Sequence, residues 1–309
     1  SPQWTLCLQP AQGGTAIEWD HRPARVNLLN TLSRREEASH ARLREHVAKV
    51  AASSGAGASS PGTSDPGVKT IHDMVRTKEA GLDRYLTYDW YRRGGWIDHW
   101  LHPGTTLEPF ANCIFGEQGD FVNQPYEVVV PSRVVRRGRP SGRPAVPSAP
   151  QTTLRRLGSV WVEGRLVRVE IGKVYTLEAD GRLTVDYRVR RMSEGPPVDL
   201  WFGVEVNLGG GDAQDPEAGL VWDGTPLARW RDRSERAGVG RGIMRDRGWG
   251  LEMEWRIDPP TSVWQFPVET VSLSESGFER GYQGSGLLFH WKLRLGEDET
   301  WAARFTVSA

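Results

Sequence analysis

Cysteine is nearly absent from this 309-residue sequence: Cys7 and Cys113 are the only two, far apart and outside any CxxC spacing. That count argues against a disulfide framework and a cysteine-based zinc site, and a reducing, cytoplasmic setting fits best. Net charge is lacking too. The 39 acids balance the 39 bases, so no global field draws the chain to nucleic acid or to a membrane surface. No apolar run approaches the roughly 18 residues of a membrane span. The glycine run in "LGGG" has neither a lysine nor a following helix signal, which removes a phosphate loop, and no internal repeat is visible. There is no initiator Met and no signal peptide, and the opening "SPQWTLCLQP" reads as the interior of a longer polypeptide. At this length the chain has room for one large core or two smaller ones.

Tryptophan, by contrast, is abundant: 14 against 8 Phe and 7 Tyr. An indole offers a broad apolar face and one N–H donor. Such faces fill large β-sheet cores, which is the expectation for most of them, and two or three left on the surface would suffice to stack on sugar rings.

Strand signals dominate from about residue 154. Leu183, Val185, Tyr187 and Val189 alternate with polar residues, behind an Asp180-Gly181 hairpin turn. Further alternating runs are Leu200 to Leu208, Leu251 to Ile257 and Trp301 to Val307. In "PVETVSLSESGFERGYQGSGLLFHWKLRL" the odd residues from Leu287 to Leu295 mark one buried face, with Leu288, His290, Lys292 and Arg294 opposite. Gly277, Gly281, Gly284 and Gly286 are expected to serve its turn. The fold class is therefore all-β, a large antiparallel sandwich. One short helix is expected near residues 34–51, where Ser33 and Glu36 form a capping-box pattern ahead of Leu43, Val47 and Val50. Two tracts poor in apolar residues, 51–68 and 133–152, read as flexible insertions within a single domain spanning 1–309. Between Glu127 and Glu163 lie seven arginines (Arg133, Arg136, Arg137, Arg139, Arg143, Arg155 and Arg156) and no acid. With zero net charge and no interleaved aromatics, a solvated loop is expected there rather than a nucleic-acid arm.

Chemistry is harder to place. Glycosyl transfer and hydrolysis use two carboxylates flanking the bond. Asp98, Glu205, Glu269 and Glu275 are on offer, but no spacing singles out a pair. Glu269, among Phe266, Pro267, Val268 and Val271, reads as a half-buried structural group. Asp98, His99 and His102 in "IDHWLHPG" lack a further nitrogen or thiol nearby, and zinc needs three or four ligands. Asp212, Asp215 and Glu217 do not follow the EF-hand pattern. Neither a metal nor a cofactor is expected. Two segments stand apart: "GGTAIEWDHRPARVNLLNTLSRREEASH" and "IHDMVRTKEAGLDRYLTYDWYRRGGWIDHWL". They mix Asp, Arg, His and Asn with Trp, Tyr and Leu without a clear period. Arg22, Arg34, Arg35, Arg92 and Arg93 have carboxylates such as Asp20, Glu36, Asp89 and Asp98 for forked bonds. Irregular, hydrogen-bonded structure at a docking surface is the reading.

Together with "FGVEVNL" and "FPVETVSLSESGFERGYQGSGLLFHWKL", these segments resemble the C-terminal β-sandwich region of glycoside hydrolase family 57 4-α-glucanotransferases and α-amylases. The motifs occur in the family's order over nearly the whole chain. The resemblance implies a galactose mutarotase-like sandwich packed on an N-terminal catalytic (β/α)7 barrel, in cis or as a separate chain, acting on α-1,4-glucans. The barrel carries the family's Glu nucleophile and Asp acid/base, and no alternating strand–helix pattern for it exists here, so no catalytic residue is assigned. Position in the motifs implies a barrel-facing or glucan-facing set: Asp20, Arg22, Asn27, Asn30, Arg34, Tyr88, Asp89, Arg92, Asp98 and His99. The alternatives are a self-standing sugar epimerase and a pure carbohydrate-binding module.

Overall fold

A computed structural model describes residues 1–55, 77–130 and 149–309. Among the described residues, fifteen strands form one antiparallel sheet. The first five are β1 (Trp4–Gln9), β2 (Thr15–His21), β3 (Val26–Asn27), β4 (Gly95–Trp100) and β5 (Glu127–Val129). The long hairpin β6 (Gln151–Val162) and β7 (Arg165–Leu177) leads to β8 (Leu183–Arg191) and β9 (Val198–Leu208). Short strands β10 (Gly219–Trp222) and β11 (Ala228–Arg229) precede β12 (Ser234–Asp246), β13 (Leu251–Ser274), β14 (Gly277–Leu295) and β15 (Thr300–Ser308). The main path runs β1-β2-β4-β9-β14-β13-β15-β8-β7-β6-β5, with β3, β10, β11 and β12 attached beside it. Helices are α1 (Ala38–Gly55) and α2 (Leu107–Ala111). No helix of the described residues is long and apolar enough to cross a membrane.

The sheet curls so that its two ends face each other. Strand β13 makes the corner. Residues 254–258 pair with β15 and residues 262–274 with β14, and between them Pro259 and Pro260 have no N–H to extend either ladder. The inner faces then meet through aromatic side chains from strands that are not neighbours. Trp19 of β2 lies 5.6 Å from Trp255 of β13, Trp96 of β4 5.8 Å from Tyr175 of β7, and Tyr187 of β8 5.9 Å from Phe202 of β9, centroid to centroid. Nine tryptophans are buried, as a core-filling role requires. The alternating residues of β8, β9, the start of β13 and β15 all point into this core, with the half-buried Trp301 packed at its edge.

Some expectations need correction. The β9–β14–β13 layer is buried on both faces. Phe110 of α2 packs on Trp264 and Phe266, and Leu43 of α1 joins Val271 and Phe278. Leu288 and His290, placed on a polar face by alternation, are consequently enclosed, and only Lys292 and Arg294 reach solvent. Of the four hairpin glycines only Gly277 is at the turn, at φ 119°. Gly281, Gly284 and Gly286 lie inside β14, where a side chain on Gly286 would strike the Phe266 ring and one on Gly284 would strike Thr31 and the Leu208 carbonyl. The helix begins at Ala38, and Ser33 instead accepts a hydrogen bond from the Arg93 backbone N–H at 2.9 Å. Both segments read as irregular contain strands. The extra residue Ile17, skipped where Cys7 and Leu8 pair with Glu18 and Ala16, bulges β2 and breaks its alternation, and β4, buried at every residue, has none to show. Residues 51–55 of the first expected insertion are helical and Gln151 and Thr152 open β6; residues 56–68 and 133–148 lie outside the described residues. Arg155 and Arg156 pair with Glu127 and Asp120.

Candidate functional site

Strand β4 organises the polar interior, because adjacent residues on a strand point to opposite faces. Asp98 points into the sandwich. It pairs with Lys173 of β7 at 2.8 Å and accepts from the Tyr126 hydroxyl. Lys173 also donates to the carbonyls of Gly13 and Trp96, both at 3.0 Å. Burial pulls the Lys173 amine below its usual range, and Asp98 offsets part of that fall.

His99 points the other way, into a second cluster beneath the irregular segments. Its Nε2 lies 2.9 Å from Glu205 of β9 and its Nδ1 2.9 Å from Glu117. Glu205 also accepts from the Tyr91 hydroxyl at 2.7 Å and from Arg93 at 2.5 Å. Arg93 reaches Asp89 at 2.7 Å, and Asp89 holds Arg34 through two side-chain bonds of 2.6 and 3.1 Å. Burial by itself would lower the His99 pKa, but the hydrogen bonds to Glu117 and Glu205 win and raise it to about 9. Burial by itself would raise Glu205, yet the Arg93 guanidinium and His99 hold it far below the ordinary carboxylate range. Asp89 is lowered likewise, burial being outweighed by Arg93 and Arg34. Three cations and three anions cancel, which is how so many charges stay buried.

This arrangement fastens rather than reacts. Both oxygens of Glu205 are taken, and Glu117 spends its Oε1 on the Trp100 and Gly119 backbone N–H groups. An acid or base of glycosyl chemistry must face a substrate, and these side chains are closed off. No group of three ligating side chains suited to a metal occurs among the described residues. Asp212 and Asp215 instead cap the N–H groups of Gln214 and Glu217.

Of the ten residues implied by the resemblance, Arg34, Asp89 and His99 meet in the outer cluster, and Asp98 lies on the inner side of the same strand. Asn27 is spent on a turn, accepting from Trp19 and Leu29 N–H groups. The Tyr88 hydroxyl accepts from Arg44 at 2.6 Å. Arg22, Asn30 and Arg92 are exposed and Asp20 is half-buried. Sequence reasoning missed Glu117, Tyr91 and Lys173 as members of these clusters. Lys173 left a signal: it continues the inward row Val167, Val169, Ile171 and Tyr175, a position where a cation demands a partner. Glu205 left no such signal: it alternates with the inward Val204 and Val206 and so reads as an outward polar residue of β9.

The profile of a family described as "Alpha-amylase/4-alpha-glucanotransferase, C-terminal" matches residues 1–305. The chain is 30% identical over 312 residues to "Alpha-amylase 1" of Dictyoglomus thermophilum, covering 97% of this chain and 38% of that protein. It is 28% identical to a "4-alpha-glucanotransferase" of Thermococcus litoralis, covering 90% of this chain and 34% of the relative. The crystal structure of a 4-alpha-glucanotransferase from Thermococcus litoralis superposes on the whole chain with a TM-score of 0.68 at 21% identity, using 36% of that structure. The chain thus spans about a third of the length of the curated relatives it matches.

Proposed function

The chain belongs to the C-terminal family of α-amylases and 4-α-glucanotransferases, and from that premise we propose that it is the non-catalytic β-sandwich of an enzyme of the glycoside hydrolase family 57 type acting on α-1,4-glucans. In this reading the nucleophile and the acid/base belong to an N-terminal barrel, in cis or on a separate chain, and the sandwich supports it. The carrying observation is coverage: alignment runs along 97% of this chain but only 38% of the α-amylase. The locked carboxylates agree with it, since Glu205, Asp89 and Asp98 each serve a buried cation. A principal core shared by strands from β1 to β15 favours a single sandwich domain. Of the residues implied by the resemblance, the exposed Arg22, Asn30 and Arg92 are the ones available to face a partner.

The test is turnover. The purified chain, incubated with maltooligosaccharides and followed by chromatography of the products, is expected to show neither transfer nor hydrolysis, and polarimetry is expected to show no acceleration of glucose anomerisation. Turnover above background in the first assay overturns the reading, and acceleration in the second would favour a self-standing epimerase.

A further inference from the structure

One end of the sandwich carries a groove of about 540 Å3, within the size range of small-molecule sites (~300–1,000 Å3). The tip of the β6–β7 hairpin forms one wall. The start of β9 and the end of β14 form the other, with the segment after β4 beside them. Gln118 ties the walls together: its N–H donates to the Trp100 carbonyl and its carbonyl accepts from the Trp161 N–H, both at 2.7 Å. Trp161 is therefore held in place by its backbone, yet it is 50% exposed, although most tryptophans of this chain are buried. Leu166, its partner across the hairpin, is exposed beside it and widens the apolar surface.

Of the other two indoles lining the groove, Trp100 is buried and Trp201 is already engaged. Trp201 donates its N–H to His290 at 2.9 Å, and the Lys292 ammonium lies 5.3 Å from its ring centroid. Trp161 is thus left as the stacking surface. Around it the rim offers Glu163 and Asp199 against Lys292 and Arg294, two acids and two bases. A phosphorylated ligand calls for a cationic excess, which is missing. Balanced donors and acceptors around an open indole suit a neutral ligand with an apolar ring face and closely spaced hydroxyls. That is the chemistry of a sugar chain.

We propose that this groove holds a short stretch of α-1,4-linked glucan, with one glucose ring stacked on Trp161 and its hydroxyls bonded by the charged rim. The choice of α-glucan over other neutral saccharides rests on the function proposed above. The site would act as a holding point for the polymer on the sandwich itself.

The experiment is affinity electrophoresis of the chain in native gels containing glycogen, with titration by maltoheptaose. Wild type is expected to be retarded. Trp161→Ala is expected to weaken binding at least tenfold, and Asp199→Ala, which removes a solvent-exposed rim group, severalfold. Trp90→Ala serves as the control, since Trp90 is 46% exposed but packs on Tyr91 and Phe115, away from the groove; it is expected to bind as wild type. Melting curves establish that each variant folds, and Asp199→Ala carries the test alone if Trp161→Ala does not. Wild-type affinity in the groove variants, or equal loss in Trp90→Ala, overturns the site. So does a wild type that is not retarded, a result consistent with the groove being a protein contact. None of these outcomes bears on catalytic silence, which the turnover assay judges separately.

Discussion

His99 is enclosed with a carboxylate on each ring nitrogen, so it remains protonated well above the pH at which a free imidazole loses its charge. The consequence for stability has a definite sign. A base whose folded pKa exceeds its unfolded value contributes fully below the unfolded value, about 6.5, and loses that contribution as pH rises through the folded value, about 9. At about 1.4 kcal/mol per pKa unit, the loss amounts to roughly 3 kcal/mol. Denaturation midpoints measured from pH 6 to pH 9 are therefore expected to decline in wild type. In His99→Gln they should start lower and run flatter. An unchanged alkaline slope in the variant would show that His99 is not charged in the folded protein.

The β13–β14 hairpin is an element built on close approach. Phe266 and Gly286 face each other in register, and the ring of Phe266 lies over the space a side chain at Gly286 would need. The same ring packs on Phe110 of α2, so it has little room to move aside. Gly286→Ala is expected to cost about 1–3 kcal/mol through overpacking, read as a lowered urea midpoint at unchanged slope. Adding Phe266→Leu should recover part of that loss by freeing space. If Gly286→Ala is neutral, the ring has somewhere to go and the contact is looser than described.

At the scale of the whole molecule, the two layers are joined by aromatic packing and by one buried ion pair. Lys173 of β7 crosses the core to Asp98 of β4. Removing only the anion leaves an uncompensated buried charge, which costs about 3–5 kcal/mol, whereas replacing both partners by apolar residues is often nearly neutral. Asp98→Ala is expected to fall in that range by guanidinium denaturation, and Asp98→Leu combined with Lys173→Met to recover much of it. A double variant no better than the single would mean that the pair does more than neutralise itself, for instance by positioning Tyr126.

What the sequence by itself determined is the class of fold and the strands whose inward residues keep a period of two: β8, β9, the opening of β13 and β15. Their pattern is local, because burying one face of a strand leaves its mark on every second residue. It also carried the family resemblance, whose long motifs survive as residue order. Tertiary structure alone decided the rest. Strand β4 could not be seen because a strand buried on both faces has no alternation, and β2 because a bulge shifts its phase. The roles of Asp98 and His99, neighbours in the chain, diverge because they face opposite sides of a sheet, and their partners Lys173 and Glu205 are remote in sequence. Burial of charge is a property of the assembled layers, and so is the exposure of one tryptophan among fourteen at the mouth of a groove.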